Sequence, residues 1–95
     1  SGGENINPKE VEKALIDIDN ISDVCVLGID DKEWGQKVIA YISLYDPSIR
    51  LKKEKIKNKL LKKISNYKIP KEFITLKYIP RNEIGKINFN ELINL

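Results

Sequence analysis

The sequence has no histidine and no methionine, one cysteine and one tryptophan, and its aromatic residues make up only 7% of 95 positions. Each shortage removes a class of function. Without an imidazole there is no histidine general base, so histidine-based nucleophile triads are excluded. One thiol and no imidazole leave a zinc or other soft-metal centre without ligands, and no metal site is expected. Cys25 has no partner for an intramolecular disulfide. It lies in the apolar run Val24-Cys25-Val26-Leu27, where a thiol is expected as an inert core residue of a protein kept in the reducing cytoplasm. No apolar stretch approaches the roughly 18 residues that span a bilayer, and nothing has the form of a basic segment followed by an apolar signal core. With Ser1 first and no methionine anywhere, the chain is expected to be cut or processed from something longer.

The 41% apolar content of these 95 residues suits one small domain that buries roughly 60–65% of its unfolded surface. The net charge is +3, and the basic residues crowd into a run from Lys52 to Lys63. Acidic residues are interspersed elsewhere and no arginine-aromatic pattern accompanies the run. Its ordinary role is a solvated helix face, and a nucleic-acid partner is not expected.

Along the chain, Ser1 to Ile6 is a glycine-rich loop or short extended segment. Asn7-Pro8-Lys9-Glu10 has the form of a helix start: Asn7 as cap, Pro8 in the first turn, Glu10 reaching back to the cap amide. Val11, Ala14, Leu15 and Ile18 then share one helical stripe, ending by Asp17 to Asn20. Val24 to Ile29 is apolar on both parities, which predicts a strand covered on both faces. After a polar turn and the long connection holding Trp34, Val38 to Tyr45 reads as the second strand of a hairpin-like pair. Ile56, Leu60, Leu61, Ile64 and Tyr67 recur at helical spacing. Pro70 biases Ile69 towards extended geometry, and Phe73 to Ile79 is a third strand. Asn88 and Glu91 repeat the cap-plus-three pattern before a short helix from Phe89 to Ile93. The sum is an α+β domain: a small, mostly antiparallel three-stranded sheet flanked by helices, with a short C-terminal helix.

Ile79-Pro80-Arg81-Asn82-Glu83-Ile84-Gly85-Lys86-Ile87 is the stretch of greatest chemical interest. Gly85 supplies a backbone angle closed to other residues and keeps the turn open to a ligand. Lys86 follows as a mobile point charge that suits bridging two anionic oxygens, such as a carboxylate and a phosphate.

These residues resemble a known family. Ser1-Gly2-Gly3-Glu4-Asn5-Ile6-Asn7-Pro8-Lys9-Glu10-Val11-Glu12 is similar to the segment and helix that open the C-terminal domain of AMP-forming acyl-CoA synthetases. Trp34-Gly35-Gln36 and Pro80-Arg81-Asn82-Glu83-Ile84-Gly85-Lys86 match the same family in the same order at compatible spacing. The resemblance implies that residues 1–95 are the mobile lid, and that a larger N-terminal adenylation domain of the same polypeptide holds the acyl pocket and, through Mg2+, most of the ATP contacts. In this family an acid and ATP give an acyl-adenylate and pyrophosphate, and coenzyme A then displaces AMP. The domain rotates between the two steps.

By the same resemblance, Lys86 is the catalytic lysine of adenylation and Gly85 the turn that supports it. Gly2, Gly3 and Glu4 would line the pantetheine tunnel. Trp34, Tyr67 and Lys71 would meet the nucleotide end of coenzyme A, as in relatives of the 4-chlorobenzoate–CoA ligase kind. Ile69 stands where such a relative has arginine, and Lys68 is a candidate substitute. The implied partners are a carboxylic acid and coenzyme A. The runner-up acceptor is a carrier protein, either loaded by the enzyme or docked by a free-standing module, and the opening Gly3-Glu4-Asn5-Ile6 favours coenzyme A. Alone, the chain is expected to have no turnover.

Overall fold

Helix α1 (Pro8–Ile16) starts where the sequence places it. In the computed structural model, which describes residues 6–33 and 35–95, Asn7 is extended and its side-chain oxygen accepts the Lys9 amide at 3.0 Å. Val11, Ala14 and Leu15 are buried beneath the helix. Glu10 has a role that the cap-plus-three spacing did not foretell: both its carboxylate oxygens receive Lys68 Nζ, at 2.9 and 3.0 Å. The chain then turns at Asn20, whose φ of +75° is one that asparagine tolerates better than most residues. Its side chain accepts the Asp46 amide and donates to the carbonyls of Asp46 and Ile49, so the corner is tied to a distant loop.

Strands β1 (Ile21–Asp31) and β2 (Gly35–Leu44) pair antiparallel from Ile21 opposite Leu44 to Asp31 opposite Gly35. Both run further than their apolar cores predict, so the connection is short, not long: it occupies positions 32–34. The outer ends of the strands project past the core, where pairing needs no hydrophobic alternation. Gly35 closes the turn at φ +76°.

The third strand corrects the expected topology. Strand β3 (Glu72–Thr75) is shorter than Phe73 to Ile79 and lies parallel to β2, so the sheet, in the order β1-β2-β3, is mixed. The chain travels from β2 to β3 through helix α2 (Lys53–Leu60), and a crossover of that length is what a parallel neighbour requires. Beyond Leu76, whose amide still donates to Ile42 at 2.8 Å, the chain leaves the sheet and buries Ile79 and Pro80. Helix α2 also stops earlier than the spacing suggests. The amides of Lys63 and Ile64 both donate to the Leu60 carbonyl, and a 3-10 turn follows at Asn66–Lys68. Ile56, Leu60 and Ile64 are buried, whereas Leu61 and Tyr67 remain 43% and 42% exposed.

The two-parity pattern of β1 is realised over Val24–Val26 and fades beyond Leu27, where Ile29 is 38% exposed. Val24 and Val26, with Val38, Ala40 and Ile42 of β2, face α1 and α2. Cys25, with Ile39 and Tyr41, faces the opposite way and is covered by Ile79, Leu92 and the half-buried Ile87. Leu92 belongs to the terminal helix α3 (Phe89–Ile93), where Asn88 caps the Glu91 amide at 3.1 Å as the spacing predicts. Among the described residues no helix is long and apolar enough to cross a membrane.

Burial, with a smaller contribution from the Glu12 charge, pushes the Cys25 thiol up to about 11. The fold therefore favours the neutral thiol over the thiolate. That stabilisation is fully present below the ordinary thiol range, near 8.5–9, and is lost as pH rises towards about 11. In urea titrations at stepped pH, the parent chain should lose stability more steeply than Cys25→Ala across that window. Parallel curves would mean that the thiol is more hydrated than its 2% exposure indicates.

Candidate functional site

The segment from Pro80 to Asn88 folds back on itself. Asn88 donates to the Pro80 carbonyl at 2.9 Å, Arg81 bridges Ile87, and Asn82 donates to the Lys86 carbonyl at 2.8 Å. Inside the turn, the Asn82 side-chain oxygen accepts the amides of Ile84 and Lys86 at 3.0 and 2.9 Å, a use for which asparagine is well suited. Gly85 has φ +87°, and a Cβ there would meet nothing within 4 Å. The glycine is required by backbone angle and not by space. Lys86 lies on the returning arm, one step past the tip. Its amide and carbonyl are both fixed by Asn82, while its exposed ammonium has no partner among the described residues.

Arg81 ties this turn to the sheet. Its Nη1 donates to the Gly85 carbonyl at 2.8 Å, and its Nε and Nη2 grip the two oxygens of Asp23 at 2.9 and 2.8 Å. Asp23 also accepts the Val24 amide at 2.9 Å. The bond to Asp23 pushes the Arg81 guanidinium still higher than its ordinary range. At 37% and 32% side-chain exposure the ion pair itself contributes about 1 kcal/mol or less, but its forked geometry fixes direction.

Tyr67 and Lys71 lie at the other end of the sheet. Tyr67 is on the 3-10 turn, with Lys68 Nζ 5.7 Å from its ring centroid. The Lys71 amide donates to the Val38 carbonyl at 2.9 Å, and its own carbonyl accepts Lys53 Nζ at 3.0 Å. Lys68, the candidate substitute for a missing arginine, is held by Glu10 of α1. Val38 pairs with Gly28 and Ser43 with Asp23, so the two regions are about five residues apart along β1, or roughly 16 Å. The hairpin connection lies on the Lys71 side. Gln36, next to the turn glycine, folds its side chain over Gly28, where a Cβ would come within 2.8 Å of it. Gly2, Gly3, Glu4 and Trp34 lie outside the described residues.

The structure thus brings Gly85 and Lys86 together at one end of the sheet and Tyr67 and Lys71 at the other. Sequence reasoning missed Asp23, Asn82 and Lys53. Only Asn82 carried a local signal, as a turn-forming residue two positions before Ile84. The lysine run is also partly engaged: Lys63 pairs with Asp17 at 2.8 Å and holds that carboxyl below the usual range. Chemically, one sheet end presents an exposed ammonium on a fixed main chain. The other presents a half-exposed aromatic ring and a lysine on a turn fixed to β2.

Comparison with known proteins gives a consistent result. The family model of the AMP-binding enzyme C-terminal domain matches residues 10–86. The mitochondrial malonate–CoA ligase of Bos taurus is 34% identical over 98% of this chain and 16% of its own length. A long-chain-fatty-acid–CoA ligase of Mycobacterium tuberculosis is 37% identical over 92% of the chain and 17% of its own length. The solved structure of the o-succinylbenzoate CoA synthetase MenE of Bacillus subtilis, in complex with its acyl-adenylate intermediate, superimposes with a TM-score of 0.84 at 36% identity. That match covers 97% of this chain and 18% of the synthetase. The chain spans less than a fifth of the length of each of these relatives.

Proposed function

This chain belongs to the AMP-binding enzyme C-terminal domain family, the C-terminal domain of acid–CoA ligases, and from that premise we propose that it is the mobile catalytic lid of an ATP-dependent acid–CoA ligase. The observation that carries the proposal is the exposed ammonium of Lys86, without a partner among the described residues, on a main chain pinned at both its amide and its carbonyl. A carboxylate attacking the α-phosphate of ATP brings two negative groups together. An ammonium carried between them on a fixed main chain offsets that repulsion as the acyl–phosphate bond forms and pyrophosphate leaves.

In the second step the thiol of coenzyme A attacks the acyl carbonyl and AMP departs. Tyr67 and Lys71 offer a ring for stacking and a cation for phosphate at the nucleotide end, and Gly2, Gly3 and Glu4 line the pantetheine path. The separation of Tyr67 and Lys71 from Lys86 supports a lid that presents one end of its sheet in adenylation and another in thioester formation, by rotating between the two. The acyl pocket, Mg2+ and most ATP contacts belong to a larger N-terminal domain of the same polypeptide.

Pyrophosphate release is the direct test, measured with ATP, Mg2+ and a panel of carboxylic acids. The full-length polypeptide should release pyrophosphate with a subset of the acids and form the thioester when coenzyme A is added. The 95-residue chain alone should be silent, because one lysine cannot position two reactants. Acid-dependent release by the chain alone, or none by the full-length polypeptide, would sink the proposal.

A further inference from the structure

We infer that Arg81 is a positioning residue for the adenylation step, fixing through the Gly85 carbonyl where the Lys86 side chain starts, with Asp23 as its anchor. The inference rests on the lid function proposed for Lys86. Two sets of bonds act on the turn, and they do different things. Those of Asn82 are internal to it: they set its shape and say nothing about its orientation on the domain. Arg81 joins the turn to the body of the fold. Its Nη1 holds the carbonyl immediately before Lys86, while Nε and Nη2 hold both oxygens of a carboxylate at the start of β1.

Packing does little at the tip of the turn, since the Gly85 Cβ position is open and Ile84 is 77% exposed; it resumes only at Ile87, which rests on the second core. Between those points the orientation of the Gly85–Lys86 peptide depends on directed hydrogen bonds. Asp23 is itself oriented by the Val24 amide, and Arg81 Nη2 lies 3.4 Å from the Val24 carbonyl, so the anchor is built into the edge of the sheet. Four of the five guanidinium N–H donors are engaged within the domain. Arg81 is thereby committed to the frame of the turn and acts on the reaction through Lys86. A lysine at this position would keep the charge but lose the planar fork that reaches the carboxylate and the carbonyl together.

The test uses the full-length polypeptide and separates the half-reactions. Arg81→Ala should lower kcat for pyrophosphate release roughly 10- to 100-fold, the scale of a small misplacement of a catalytic group, with KM for ATP and acid within about twofold. Coenzyme A attack on supplied acyl-adenylate should be unaffected. Arg81→Lys should recover little of the rate, free guanidinium at a non-denaturing concentration should restore part of the Arg81→Ala loss, and Asp23→Asn should slow the same half-reaction. In a Lys86→Ala background, Arg81→Ala should add nothing, because it acts through the missing side chain. Equal losses in both half-reactions, or additive losses in the double variant, would overturn the assignment. If Lys86→Ala slows adenylation and Arg81→Ala does not, the positioning role alone fails. If Lys86→Ala is itself without effect, the lid function fails and this role with it.

Discussion

Lys86→Ala in the full-length polypeptide is expected to slow acyl-adenylate formation by roughly 10²- to 10³-fold, the scale of removing one preorganised charge from a developing transition state. Coenzyme A attack on supplied acyl-adenylate should retain most of its rate. The structure makes the substitution unusually clean. The bonds that shape the turn use the amide and carbonyl of Lys86 and the side chain of Asn82, so alanine keeps all of them. The ammonium has no partner among the described residues, so its loss leaves no acid exposed and no buried group unsatisfied. A fall in rate then reports the absent charge and not a collapsed loop. Lys86→Arg should recover only part of the activity, since a planar fork does not reproduce a compact point charge between two sets of oxygens. Pyrophosphate release and single-turnover thioester formation, measured on the same preparations, decide the matter. Equal loss in both would remove Lys86 from its assigned step.

The parts of the molecule that were legible in the sequence are those governed by residues close together in the chain. Asn7 with Pro8, and Asn88 with Glu91, mark helix starts because a cap satisfies amides two or three positions away. Gly85 marks a turn because its own φ requires glycine. The apolar run from Val24 announces burial on both faces because β1 has a core on each side, although that burial stops short of Ile29. What was not legible depends on partners far along the chain. Whether β3 runs parallel or antiparallel is set by how α2 crosses the sheet, and no residue of Glu72–Thr75 encodes the direction. The outer turns of the β1-β2 hairpin carry polar residues that pair through backbone alone. Glu10 meets Lys68 and Asp23 meets Arg81, each at a separation of 58 residues, and neither acid differs locally from an ordinary surface carboxylate. Lys86 was therefore identifiable as a residue type in a turn, while the bracket that aims it was not.

Leu92→Ala should destabilise the chain by about 2–5 kcal/mol, the usual range for emptying a fully buried leucine site. For a 95-residue domain, whose total stability is roughly 5–14 kcal/mol, that is a large share. Leu92 is 1% exposed and closes the second core over Cys25, Ile39, Tyr41 and Ile79. Helix α3 is only five residues long and could not persist by propensity alone. Its Asn88 cap and the bond from the Tyr78 hydroxyl to Glu91 at 2.8 Å are exposed, leaving Leu92 as the buried anchor. Once the anchor is cut back, local opening should become easier and Cys25 should react faster with a thiol reagent, by about tenfold for each 1.4 kcal/mol lost. Ile84→Ala, at a site 77% exposed, is the control and should stay within about 0.5 kcal/mol of the parent. Urea titration and thiol modification give independent readings. A Leu92→Ala change no larger than that of Ile84→Ala would mean that α3 does not seal this face. Because Ile87 packs against the same cluster, loosening α3 also frees the returning arm of the Lys86 turn. In the full-length polypeptide the variant should therefore lose adenylation increasingly as temperature rises, whereas the loss in Lys86→Ala, being chemical, should already be complete in the cold.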